Sequence, residues 1–101
     1  MRLNLITVLF LGGFFVSLTS CFTPAPEGTV THLNQSYGPN SRNKLDMYLP
    51  ELRDTTTETV LLIHGGAWVG GDKSNADLMN RRDVLLESGY AVASMNYRYA
   101  N

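Results

Sequence analysis

An α/β fold is predicted by three features of the sequence. Val60–Ile63 (VLLI) is a continuous apolar run, as expected for a strand in a sheet interior. Leu78, Met79, Arg82, Leu85 and Leu86 recur at helical spacing, with Gly89 as the stop after them. Tyr90–Met95 (YAVASM) is again strand-like and apolar. Strand, loop, helix and strand in that order form the pattern of a parallel βαβ crossover.

Taken from the start, residues 1–20 carry a single charge, Arg2. Leu5–Val16 (LITVLFLGGFFV) is too short to span a bilayer, which needs about twenty apolar residues, and has the proportions of the apolar core of a secretory signal. Leu18-Thr19-Ser20-Cys21 follows and resembles the lipobox of bacterial lipoproteins. That resemblance implies a lipoprotein signal peptide over 1–20 and a lipidated Cys21 as the mature N-terminus. The expected partner is therefore a membrane, reached through lipid on Cys21. The expected location is exported and anchored to a bacterial cell membrane, the outer membrane or cell surface, with two or more acyl chains giving stable attachment. Residues 21–29, rich in proline, are expected to act as an extended tether of about 3 Å per residue.

Residues 30–101 hold the folding part. Thr29–Tyr37 alternates loosely between β-branched or aromatic and polar residues, and Gly38-Pro39-Asn40-Ser41 is a turn cluster. Lys44–Leu49 alternates Leu45, Met47 and Leu49 with Asp46 and Tyr48, predicting an antiparallel partner for the first strand with one solvated face. Val60–Ile63 is expected to be a central strand covered on both sides. For the helix, Ser74 followed by Asp77 suggests a capping box.

Composition excludes several function classes. Eight basic against nine acidic residues leave no electrostatic footprint for nucleic acid. One cysteine rules out an internal disulfide framework, and with two histidines it is too little for a structural zinc site. His32, in the first strand, reads as a surface residue.

The chemistry is concentrated in His64–Lys73 (HGGAWVGGDK), at the C-terminal end of an apolar strand, where open α/β sheets place their ligands. A phosphate loop is one candidate. However, Asp72 intervenes between Gly71 and Lys73, where a carboxylate would oppose phosphate, and there is no G-x-G-x-x-G. An oxyanion hole is the better candidate, because acyl transfer needs backbone N–H donors close to a developing O⁻ and glycine permits that approach.

The HGGAW motif resembles the HGGG-type loop of α/β-hydrolase esterases and lipases. Tyr37-Gly38, LDMYLP at 45–50, VLLIHGGAWVGGDKS at 60–74 and GYAVASMNYR at 89–98 extend the likeness. They are similar to the opening part of carboxylesterase-type hydrolases, including the feruloyl-esterase-like group. The resemblance implies an incomplete α/β-hydrolase sheet, its first strands antiparallel and followed by a βαβ crossover with one helix. It also implies that Gly65, Gly66 and Ala67 supply oxyanion N–H groups, with Gly66 and Ala67 foremost. His64 would brace the loop, and Trp68 would be a packing anchor in preference to a substrate platform. Asp72 and Lys73 read as loop and helix-start residues.

The family's nucleophile sits in a later G-x-S-x-G. None of the serines (17, 20, 36, 41, 74, 88 and 94) is flanked in this way, and no histidine follows His64. The chain is accordingly expected to be the N-terminal part of a lipid-anchored serine hydrolase of carboxylic esters, lacking its catalytic triad and inactive alone. A small-molecule or carbohydrate-linked ester is the expected substrate of the complete domain, and the resemblance implies that it needs no metal or organic cofactor. Two alternatives stay open: a short non-enzymatic surface lipoprotein or binding module, and a part that joins a separately encoded remainder.

Overall fold

A computed structural model describes residues 23–100; the signal segment and Cys21 lie outside the described residues. The elements are β1 (Val30–Ser36), β2 (Lys44–Leu49), β3 (Thr59–Ile63), α1 (Ala76–Glu87) and β4 (Ala91–Met95). They build a mixed sheet in the order β1-β2-β4-β3. β1 and β2 are antiparallel, as are β2 and β4, whereas β3 and β4 run parallel across the α1 crossover. This is the α/β arrangement expected, with the crossover where the sequence places it.

The helix is set by its ends and by one face. Asn75, not Ser74, is the N-cap: its side chain accepts from the Leu78 N–H at 2.9 Å. Ser74 is engaged instead by Asp72, whose carboxylate accepts from the Ser74 N–H (2.9 Å) and hydroxyl (2.6 Å). An Asx-type turn thus competes successfully for the serine and leaves the equally good cap, asparagine, to start the helix. Asp77 pairs with Arg81 one turn on, at 3.0 Å. At the other end Gly89 (φ +95°) donates to the Leu86 carbonyl and Tyr90 to that of Leu85, each at 3.0 Å. This double closure is a Schellman motif, and it returns the chain directly into β4.

β4 is the central strand, and its small residues let α1 approach. The cross-strand rows Asp46–Ser94–Leu62 and Tyr48–Val92–Val60 share the face toward the helix. There Tyr48, Leu62 and Val92 join Leu78, Met79 and Leu86 in one buried cluster, with Val60, Leu85 and Ala25 packed against it.

Two expectations are corrected here. In β2 the parity is inverted: Asp46 and Tyr48 are buried, and Leu45, Met47 and Leu49 are half-buried on the opposite face. The cause is pairing, since Asp46 meets a buried lysine and Tyr48 an arginine and a methionine. In β3, which is an edge of the described sheet, Leu61 (50% exposed) and Ile63 (59%) are uncovered on one side. Residues 23–25 run against α1, where Arg82 binds the Thr23 and Pro24 carbonyls at 3.1 and 2.9 Å.

Candidate functional site

The parallel strand β3 delivers His64 to the C-terminal edge of the sheet, and the loop from His64 to Lys73 is folded by interactions at both of its ends. His64 is buried, with only 3% of its surface exposed. Its ring stacks on that of Tyr97 (centroids 4.4 Å apart, 15° between planes), and the Tyr97 hydroxyl donates to the His64 carbonyl at 2.9 Å. Nδ1 lies 2.6 Å from the Gly65 carbonyl oxygen. A carbonyl can only accept, so the proton of the neutral ring belongs on Nδ1 and Nε2 is left as an acceptor. Nε2 is buried and has no partner among the described residues.

Beyond His64 the backbone enters the left-handed region. Gly66 has φ +131°, followed by Ala67 at +53° and Trp68 at +66°. A side chain at Gly66 would collide with the Gly70 carbonyl, and one at Gly71 with the Gly65 oxygen and the His64 ring. The Gly66 carbonyl turns inward to accept from the Val69 (3.0 Å) and Gly70 (3.1 Å) amides. Among the described residues, the N–H groups of Gly65, Gly66 and Ala67 meet no acceptor. Two consecutive non-glycine residues at positive φ store strain of the kind that collects at functional loops.

These residues border a hollow of about 570 Å³, together with Ile63, Tyr97 and Arg98. Trp68 lines it with 70% of its surface exposed among the described residues; its carbonyl, not its indole, is tied down, by the Ala100 N–H at 2.8 Å. A second hollow of about 540 Å³ lies at the opposite end of the sheet, by Leu52, Asp54, Glu58 and Gly89. It opens at the wrong end of the parallel strands for an α/β ligand site.

The far end of the loop is clamped to the sheet by polar pairings that sequence reasoning did not foresee. The Lys73 ammonium forms a buried ion pair with Asp46 of β2 at 2.9 Å. The Lys73 N–H donates to the Asn96 side chain (2.8 Å), and its carbonyl accepts from the Ser94 hydroxyl (2.7 Å). The Asn96 amide in turn reaches Asp72 at 3.1 Å. Asp46 also accepts the Asn34 N–H at 2.8 Å, at the β-bulge of β1. Arg42 donates to the Tyr97 and Gly71 carbonyls, and the Tyr99 hydroxyl also donates to Gly71. Lys73 is therefore committed to Asp46 and does not offer a free cation to a phosphate. In the sequence Asp46 showed only as a polar member of an alternating strand, and its burial against Lys73 follows from the rule that a buried charge is paired.

Two groups around the loop have shifted acidity. Burial raises the Asp72 pKa, but hydrogen bonds from Ser74 and Asn96 and the nearby Lys73 charge outweigh it, so the carboxyl lies below its ordinary value. Burial, then the charge of Asp46, holds the Tyr48 hydroxyl above its ordinary value. His32 lies exposed in β1, away from this arrangement.

The chain is similar to known proteins in sequence and in backbone fold. Residues 45–101 match the BD-FAE family. The chain is 42% identical over 62 residues to a probable isoprenylcysteine alpha-carbonyl methylesterase of Oryza sativa subsp. japonica, and 39% identical over 62 residues to an isoprenylcysteine alpha-carbonyl methylesterase of Arabidopsis thaliana. Each alignment covers 61% of this chain and 14% of the relative, so the chain spans about a seventh of the length of those proteins. Esterase B from Lactobacillus rhamnosis superposes with a TM-score of 0.58 at 32% identity, over 79% of this chain and 26% of the esterase. A truncated carbohydrate esterase from gut microbiota superposes with a TM-score of 0.59 at 30% identity, over 76% and 28%. The strand that ends in HGGAW, the left-handed turn after it and the α1 crossover thus place the chain in the BD-FAE family of α/β-hydrolase esterases.

Proposed function

We propose that this chain carries the oxyanion loop of a lipid-anchored serine hydrolase acting on carboxylic esters. The observation that supports this most directly is the set of Gly65, Gly66 and Ala67 amides, without acceptors among the described residues, beside the hollow at the end of β3. When a serine hydroxyl attacks an ester carbonyl, negative charge develops on the carbonyl oxygen. The Gly66 and Ala67 N–H groups are the donors for that oxygen, and each such donor contributes about 3–4 kcal/mol to transition-state stabilisation. His64 does not act as the base, since its ring is committed to the loop. The nucleophile, the acid and the histidine that accepts the serine proton come from sequence outside residues 1–101, so these residues alone do not turn over esters. The esterase names of the similar proteins support ester as the substrate class, and exposed Trp68 offers an aromatic surface to a small-molecule or carbohydrate-linked ester. Lipid on Cys21 holds the protein at a bacterial membrane.

The test begins with the DNA after codon 101. An encoded G-x-S-x-G followed by aspartate and histidine, in frame or after a frameshift, is expected. Residues 21–101 and the extended product are then assayed on a simple aryl ester, with activity expected only from the latter. An extended product that carries all three groups and has no hydrolytic activity overturns the assignment. Unrelated downstream sequence, together with cooperative unfolding of 21–101, would favour a non-enzymatic lipoprotein.

A further inference from the structure

The segment after Cys21 is held to the domain almost from its first described residue. Arg82, fully buried on α1, donates from Nη1 to the Thr23 carbonyl (3.1 Å) and from Nη2 to the Pro24 carbonyl (2.9 Å). Its Nε is taken by Asp83 at 2.8 Å, and its guanidinium lies 4.7 Å from the centre of the Tyr48 ring. An arginine with every edge engaged is a strong clamp for two carbonyls. Ala25 adds an apolar contact with the core beneath α1. Thr23 further borders a small hollow of about 230 Å³ with Leu33 and Asn34 of β1, Ser74 and Met79, next to the Asp46–Lys73 pair.

Two peptide steps separate Cys21 from Thr23, a reach of at most about 7 Å. We infer that the mature protein is seated on its membrane in one orientation, with the Leu33–Asn34 bulge and Ser74 drawn against the lipid surface; this rests on the acylation of Cys21 proposed above. The partner is the bilayer itself. The surface around the clamp suits it: Leu33 is 40% exposed, and exposed Thr23, Asn34 and Ser74 are polar without charge. Ser74 follows the glycine loop directly, so the C-terminal edge of the sheet, which carries the candidate site, is on the membrane side. Glu58, hydrogen-bonded through its carbonyl to Ala91, marks the opposite edge and faces away.

Cys21 is the sole cysteine, so an introduced one is a unique labelling position. The full chain with its leader is produced in a bacterial host as Ser74→Cys or Glu58→Cys, labelled with a fluorophore, and placed in vesicles containing phospholipid with a nitroxide on its acyl chain. Incorporation of an alkyne fatty acid at Cys21, absent in Cys21→Ser, is measured on the same samples. Acylation with loss of most emission at position 74 and little at 58 is expected. A flexible spacer of about twelve Gly/Ser residues between Phe22 and Thr23 adds on the order of 20 Å of reach. It leaves the described residues unchanged and should restore the emission at 74. Acylation with equal quenching at the two positions, or quenching at 74 that survives the spacer, overturns the seated orientation alone. No acylation overturns both it and the lipoprotein assignment.

Discussion

Gly66 and Gly65 are neighbours with opposite steric demands. A Cβ on Gly66 would run into the Gly70 carbonyl, whereas one on Gly65 would have no atom within 4 Å. Gly66→Ala should therefore strain or unfold the loop at a cost of about 1–3 kcal/mol. In the extended enzyme it should lower kcat by about 10²–10³-fold, the loss expected from one misplaced oxyanion donor. Gly65→Ala should leave stability nearly unchanged. Chemical denaturation and aryl-ester assays of both variants check this, and equal effects at the two positions would sink the steric account. The Asp46–Lys73 pair is a second residue-scale test. Removing one partner strands a buried charge, so Asp46→Asn or Lys73→Met should each cost about 3–5 kcal/mol, while Asp46→Leu with Lys73→Met together should cost clearly less than their sum. Asp72 adds a dependence on pH. Its folded pKa lies below the ordinary 3.8, so its contribution is fully present above that value and is lost as pH falls through the lowered folded value. Stability should drop more steeply below about pH 4 in the wild type than in Asp72→Asn, as read from midpoints of urea unfolding.

At the scale of elements, the stop at Gly89 shows what glycine supplies where packing is irrelevant. Its φ is +95°, yet a Cβ there would meet nothing within 4 Å. Gly89→Ala should cost about 1–2 kcal/mol from backbone conformation alone, and Gly89→Asn less, since asparagine tolerates the left-handed region. Near-native cost for alanine would mean the Schellman closure contributes little. This helix end was legible in the sequence, as was the crossover, because spacing and glycine are local signals. The N-cap was not: Ser74 and Asn75 are both good caps, and only the contact with Asp72 decides between them. In β2 the alternation was visible but its direction was not, since period two says that two faces differ without saying which meets the helix. Asp46 and Tyr48 face inward because Lys73 and Arg82, more than twenty residues away in sequence, meet them there. For the same reason HGGAW announced its loop, while Ser94, Asn96 and Tyr97 were visible only as part of a family-like segment, with no sign that they hold that loop.

Across the whole molecule, the two faces of the sheet are unequally served. The face toward α1 holds the buried cluster, whereas Leu61 and Ile63 on the other lie beside half-buried Leu45, Met47 and Met95. Residues 21–101 alone should accordingly bind a hydrophobic dye and aggregate as concentration rises. Ile63→Lys, at the edge strand, should reduce both by placing a charge where another sheet would pair. Protection from solvent should follow the same asymmetry. β4 is hydrogen-bonded on both edges and is buried from Ala91 to Ser94, whereas every residue of β1 is exposed. Hydrogen exchange should therefore be slowest for the amides of 91–95, intermediate in β3, and fastest in β1, whose ladder is interrupted by the bulge between His32 and Gln35. Uniform exchange across all four strands would show that the sheet opens as a single unit. Slow exchange confined to β4 and its neighbours would locate the stability of this chain in the βαβ crossover that carries the glycine loop, with β1 as a loosely held edge.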